Sequence, residues 1–256
     1  LFRVQASGSG GGTIRFDPND GLLASNSLVT VTAQPYPGWS FPGWGGDFRG
    51  TEPTNSFHVR SDTRVSAVYG TSLGSTAAGS GSVAIEPTMG VYPYGVKVTA
   101  TAIPEKGSYL AAWGNAVSGV SNPLVFDVTE PNQVLSALFG SLGANEVSLA
   151  VRVVGGGAVN VSTPAARYPR GSTVELGAVA SDGQRFEGWS GDATGNENPL
   201  SITLDESKVV TARFVRTAVL HIQRTGKGAE LWVEGMPGDM YWLQESSNLT
   251  VWADHA

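Results

Sequence analysis

Residues 185–200 read RFEGWSGDATGNENPL, a stretch that sets Trp189 directly after a glycine and follows it with Asp192, Asn196 and Asn198. A tryptophan beside a carboxylate and amides fits three different uses: a sugar platform, an oxygen-donor metal loop, or a piece of hydrophobic core. Comparison with the rest of the chain separates them. PGWSFPGWGGDFRG surrounds Trp44 and GSYLAAWGNAVSG surrounds Trp113, so the same kind of segment comes round three times, at a period of about 70 residues.

A true repeat keeps other features at fixed distances from its anchor, and internal periodicity of this kind decides the architecture. Thirty residues before each tryptophan stands Ile14, Val83 or Val159, each just after a glycine-rich run. Fifteen before it stands Val29, Val98 or Val174, and thirteen after it Phe57, Phe126 or Ile202. Each unit then closes on an alternating segment, RVSAVYG, VLSALFG or VVTARFV, that ends at Tyr69, Phe139 or Phe214. Three offsets held in all three copies, and a fourth held to within one residue, define one repeating unit.

The third copy shows what one unit predicts. LAVRVV reads as a strand that continues through a glycine-rich turn into AVNVS, together a loose hairpin. In YPRGSTVELGAVA, Pro-x-Gly makes a turn and Val174, Leu176 and Ala178 alternate inward on a third strand. QRFEGW, LSITLD and VVTARF are the fourth, fifth and sixth strands. The expected fold class is all-β: a tandem, elongated array of three small antiparallel modules at 1–70, 71–140 and 141–215, with a partial C-terminal β unit at 216–256. So small a module lies near the lower limit for independent folding, which makes Trp44, Trp113 and Trp189 structural anchors of three cores. Short joints at 70–74 and 140–146 leave little slack, so neighbouring modules should touch.

Composition agrees. The 256 residues include 34 Gly and 14 Pro spread throughout, and no long stretch carries apolar residues at helical spacing. Only 15% are charged and the formal net charge is -6, so no basic field exists for nucleic acid. No apolar run approaches the roughly 18 to 20 residues that span a bilayer. The opening LFRVQASGSGGG lacks the basic and apolar regions of a secretory leader, and the sequence reads as a soluble, excised or processed piece of something longer. With no cysteine, a disulfide scaffold, a thiolate metal site and a thiol nucleophile are all excluded.

The succession Tyr-Pro-x-Gly, a valine-rich strand, Phe-x-Gly-Trp-Ser-Gly-Asp, Asn-Pro-Leu-x-Ile-Thr-Leu-Asp and Val-Thr-Ala-x-Phe resembles the divergent internalin-type B repeat of bacterial surface proteins. Residues 168–214 match it best, and the resemblance covers about residues 1–215 in three copies. The first copy has PTNSF where the third has Asn-Pro-Leu, and in the second, AAWGNA sets Asn115 against Asp47 and Asp192 of the others. The resemblance implies a string of small β domains in large secreted or surface proteins, with no shared catalytic residues. Some relatives are described as β-grasp-like, with a short helix, which makes that the second reading of the module. Residues 216–256 break the pattern, and YWLQESSNLTVW is similar to a motif near the C-termini of extracellular proteins of environmental bacteria.

Candidate chemistry is sparse. His58, His221 and His255 are the only histidines and hold no equivalent positions, so no Ser/His/Asp arrangement recurs. Asp205 and Glu206 end a strand where turn chemistry favours Asp. The one candidate metal loop is 190–198, where Asp192, Asn196, Glu197 and Asn198 offer oxygens suited to calcium. Its counterparts carry Arg49 in the first copy and no carboxylate in the second, so an Asx-type turn shaped by Asp192 is the preferred reading. Trp39 occurs in the first copy alone, two residues after Pro37, where a surface position is open to it, and Trp232, Trp242 and Trp252 in the tail fit one core or one aromatic patch, with core the preferred use.

The expected function is therefore non-enzymatic, without catalytic residues, cofactor or assigned metal: a stalk, spacer or adhesive segment of a large bacterial extracellular or cell-surface protein. Self-association into fibres through sheet edges extends the same reading. The expected partners are other domains of the same polypeptide, with neighbouring copies or a surface glycan or protein next, and neither nucleic acid nor a membrane span. A carbohydrate-binding accessory region of a secreted enzyme is the alternative.

Overall fold

The structure is a computed structural model. It describes residues 1–8, 10–19 and 21–218 in full and, beyond them, the backbone strands at 219–225, 228–234, 244–245 and 253–254. The described residues form strands and turns and no helix. The first module contains β1 (Val4–Gly8), β2 (Gly12–Asp17), β3 (Leu28–Pro35), β4 (Ser40–Gly46), β5 (Thr54–His58) and β6 (Thr63–Thr71). The second contains β7 (Leu73–Ala78), β8 (Gly81–Glu86), the short β9 (Tyr92–Pro93), β10 (Lys97–Pro104), β11 (Ser108–Asn115), β12 (Leu124–Asp127) and β13 (Gln133–Ser141). The third contains β14 (Glu146–Val147), β15 (Leu149–Val154), β16 (Gly157–Val161), β17 (Tyr168–Pro169), β18 (Ser172–Ala180), β19 (Gln184–Gly191), β20 (Leu200–Leu204) and β21 (Lys208–Arg216).

Every module divides its six main strands between two sheets. In the third, β18 is flanked antiparallel by β16 and β20, while β21 is flanked by β19 on one side and β15 on the other. The offsets seen in the sequence are cross-strand partners in the first of these sheets. Val29 stands opposite Phe57, Val98 opposite Phe126 and Val174 opposite Ile202. Ile14, Val83 and Val159 stand opposite Ala33, Ala102 and Ala178. Directly opposed side chains on one face are the unit of sheet stabilisation, and for that reason these positions repeat together.

Two features differ from the expectation. The glycine-rich run does not close a hairpin: β15 pairs with β21 and β16 with β18, so the chain steps from one sheet to the other at Gly155–Gly156. Moreover, the first and last main strands of each module are parallel, β1 to β6, β7 to β13 and β15 to β21, whereas the other pairings among the described residues are antiparallel. A parallel pair needs a long crossover, and here the four intervening strands supply it.

The reason for the glycines is steric. A Cβ on Gly12, Gly81 or Gly157 would stand 2.5, 2.5 or 2.6 Å from the ring of Tyr69, Phe139 or Phe214. The aromatic that ends each closing strand thus lies flat across the start of the second strand, where only a residue without a side chain fits. It closes one end of a core that also holds Val174, Leu176, Leu204 and Val210 in the third module and their counterparts elsewhere.

The joints are tighter than the sequence suggests, and they are unlike each other. In each module the residue two before the first main strand pairs with the segment that leads into the valine-rich strand: Phe2 with Leu23, Thr71 with Tyr92, Val147 with Tyr168. In the second module that leading residue, Thr71, is the end of β6, so one strand serves two modules and only Ser72 separates β6 from β7. Thr71 Oγ1 donates to the Gly38 carbonyl at 2.8 Å and accepts the Asn132 N–H at 2.8 Å. The second joint rests on side chains. The Arg152 guanidinium lies 3.6 Å from the Glu86 carboxylate, and that of Arg167 lies 4.7 Å from the centre of the Tyr109 ring. Beyond the third module, β22 (Val219–Thr225) and β23 (Gly228–Glu234) form an antiparallel hairpin.

Candidate functional site

A bulge precedes the loop that follows each tryptophan. In the third module the ladder between β19 and β21 shifts register between Phe186 and Gly188, a bulge that turns Trp189 into the core. The same shift falls between Ser40 and Gly43 and between Leu110 and Ala112. Trp44, Trp113 and Trp189 are 5%, 4% and 4% exposed, which leaves no ring face free to receive a sugar. Phe186 meets Trp189 edge-on with ring centres 5.0 Å apart.

Each indole also ties down its own loop. The Nε1–H of Trp44, Trp113 and Trp189 donates to the carbonyl of Glu52, Ser121 and Glu197, at 2.7, 2.8 and 2.8 Å. The backbone N–H of each donates to Gly50, Gly119 or Gly195. The tryptophan therefore fills the core and organises the loop that follows it.

Asp192 braces the other side of the loop. Its N–H donates to the Val209 carbonyl at 3.0 Å, and its Oδ2 accepts the Val209 N–H at 2.7 Å. Asp47 holds Arg64 in the same two-bond embrace, with Oδ2 at 2.9 Å. In the second module the residue with this role is Ala116, whose N–H reaches Val134, and not Asn115. Asn115 instead has φ 64 and stands with Gly46 (φ 78) and Gly191 (φ 93), in the left-handed region that asparagine tolerates best after glycine.

Asn198 points away from the candidate cation loop. Its Oδ1 accepts the Ala178 N–H and its Nδ2 donates to the Ala178 carbonyl, both at 2.8 Å. Asn122 clasps Ala102 in the same way at 2.9 and 2.8 Å. The first module has Pro53 at this point and uses its backbone carbonyl to accept the Ala33 N–H at 2.8 Å. Sequence reasoning missed this clasp, although Asn-Pro at the same distance from Trp113 and Trp189 was the signal. Asn196 and Glu197 are exposed.

The carboxylates near this loop already face a cation. Lys208 Nζ lies 2.7 Å from Asp205 Oδ1. The hydrogen bond to Asp205 first, with the nearby charges of Asp205, Glu206 and Asp192, holds the Lys208 ammonium above its ordinary range. The same hydrogen bond holds the Asp205 carboxyl below its own range. Asp205 Oδ1 also accepts the Glu206 N–H at 3.2 Å, so the pair at the end of β20 is a turn. Among the described residues no three His, Asp or Glu side chains converge on one point.

The remaining aromatics and histidines are dispersed. Trp39 is half-buried at the first joint with its ring centre 5.4 Å from that of Tyr94 in the second module, a place at a module boundary and not on the open surface. His58 on β5 bonds through Nδ1 to the Asn26 carbonyl at 3.0 Å. His221 and Trp232 belong to β22 and β23, while His255, Trp242 and Trp252 lie outside the described residues. A cavity of 280 Å³ at the second joint lies between Leu110 and Asn122 on one side and Leu149, Val161 and Tyr168 on the other, and no charged side chain lines it.

No helix among the described residues is long and apolar enough to cross a membrane. No curated protein matches the chain. A family model described as the divergent InlB B-repeat domain matches it three times, over residues 2–73, 71–141 and 147–218.

Proposed function

Because the chain belongs to the divergent InlB B-repeat family, with three copies that span residues 2–218, we propose that it is a non-catalytic stalk or spacer in a bacterial surface or secreted protein. The observation that carries this reading is the joint between the first two modules. A segment that sets distance has to resist folding back on itself, and β6 does this by extending past its own module to pair Gly70 and Thr71 with Pro93 and Tyr92. Two of the three family matches overlap at residues 71–73, the same shared strand end.

The polar groups that brace each tryptophan loop are used internally, as a structural role requires. Asp192 and Asn198 serve backbone groups, and the indole N–H groups serve carbonyls of their own loops. Such a segment presents its neighbours in the polypeptide and has no substrate of its own. A glycan array probed with the whole chain tests this against the carbohydrate-binding alternative. The spacer reading expects no specific signal, and reproducible binding to one glycan class would replace it with a recognition role.

A further inference from the structure

We propose that each module is a tension-bearing clamp, because the strand by which the chain enters it and the strand by which the chain leaves it are parallel, hydrogen-bonded neighbours. This goes beyond the spacer reading, since a spacer has to hold a distance but need not hold a load.

The argument is one of geometry. In a parallel pair the entering end of one strand and the leaving end of the other lie at opposite ends of the ladder. Tension along the chain therefore slides β15 against β21 lengthwise and loads all of their hydrogen bonds at once. Had the two strands been antiparallel, the same tension would open the ladder from one end, bond by bond. The clamps contain five paired positions from Val4–Thr63 to Gly8–Ala67, six from Leu73–Gln133 to Ala78–Leu138 and six from Leu149–Lys208 to Val154–Arg213. The arrangement occurs in all three copies although the strand sequences, VQASG, LGSTAA and LAVRVV, have little in common.

The path between clamps is short. Load leaves β6 at Thr71 and enters β7 at Leu73, so Ser72 alone connects the first two, and its Oγ donates to Asn132 Oδ1 at 2.9 Å. Each clamp also lies over a closed core. The aromatic ring across Gly12, Gly81 or Gly157 belongs to the leaving strand, which ties its sliding to the loss of core packing.

Force spectroscopy on the full chain tests this directly, and the absence of cysteine lets handles be placed by pairs of introduced thiols. Handles at Asn145→Cys and Arg216→Cys load the third clamp in shear. Handles at Gln184→Cys and Arg216→Cys pull apart the terminal pair of the β19–β21 ladder and peel it instead. All three positions lie in exposed or half-buried turns and strand ends. The shear geometry should need at least about twofold more force at the same loading rate, since six paired positions share the load that peeling breaks singly. Equal forces, or a lower force in shear, would overturn the proposal. The spacer reading would survive that result, because it is judged by glycan binding and by particle length.

Discussion

Truncating Trp189 to alanine should unfold the third module and leave the first two intact. The magnitude follows from its surroundings. The side chain is 4% exposed and packs with Phe186, Val174 and Phe214 in a core of its own. Emptying such a site costs about 3 to 5 kcal/mol. The change also removes the Nε1–H that serves the Glu197 carbonyl at 2.8 Å, a further loss of about 1 kcal/mol. Together these come to about 4 to 6 kcal/mol, against the ~3 to 10 kcal/mol that a unit of this size holds at roughly 0.05 to 0.15 kcal/mol per residue. Trp189→Phe keeps most of the apolar volume and should cost about half as much, roughly 2 to 3 kcal/mol. Urea titration followed by amide NMR resolves the modules separately. The expected result for Trp189→Ala is collapse of the dispersed signals of residues 146–216 with those of 1–141 retained. Full retention of all of them, with a loss below about 1 kcal/mol, would refute the claim that the tryptophan is the anchor of its module.

Other consequences follow from the same packing. Trp44→Ala should destabilise the second module as well as the first, since Thr71 and Tyr92 pair across their boundary; melting of the first alone would show that the shared strand does not couple them. Gly157→Ala should cost roughly 1 to 3 kcal/mol through its clash with the Phe214 ring, whereas at Gly171, where a Cβ meets nothing within 4 Å and only φ +86 is at issue, the loss should stay at about 1 kcal/mol. Asn198→Ala breaks both hydrogen bonds to Ala178 and should cost about 2 to 3 kcal/mol by urea titration. Millimolar calcium should leave the melting temperature unchanged, because Asp192 Oδ2 and Asn198 Oδ1 are occupied by Val209 and Ala178; a site filled at a hundred times its Kd would add about 2.7 kcal/mol and raise it visibly.

The sequence was most legible where side chains meet across strands. Val174 and Ile202 are well separated in the chain yet oppose each other in one ladder, so their spacing survives in every copy and shows in a simple alignment. The burial of Trp44, Trp113 and Trp189 was legible for the same reason. Strand direction was not. LAVRVV followed by glycines looks like the first half of a hairpin, and only the ring of Phe214 lying across Gly157 shows why the glycines are there. The Asn198 clasp stayed hidden because an asparagine in a polar loop looks the same whether it faces solvent or serves the backbone of Ala178. Asn115 was placed one residue off, since its left-handed backbone matches Gly191 while its amide resembles Asp192. The short joint at 70–74 was legible, but the sharing of β6 between two modules at Thr71 was not, because no residue type marks a strand that belongs to both.

Small-angle X-ray scattering of the whole chain tests the central claim most directly. Three modules of about 25 to 30 Å each, arranged in tandem in a chain of 256 residues, predict a maximum dimension of about 100 Å and a radius of gyration of about 28 Å. A radius of gyration of about 18 Å, the value expected for 256 residues packed as one globule, would contradict the tandem array and the spacer role with it.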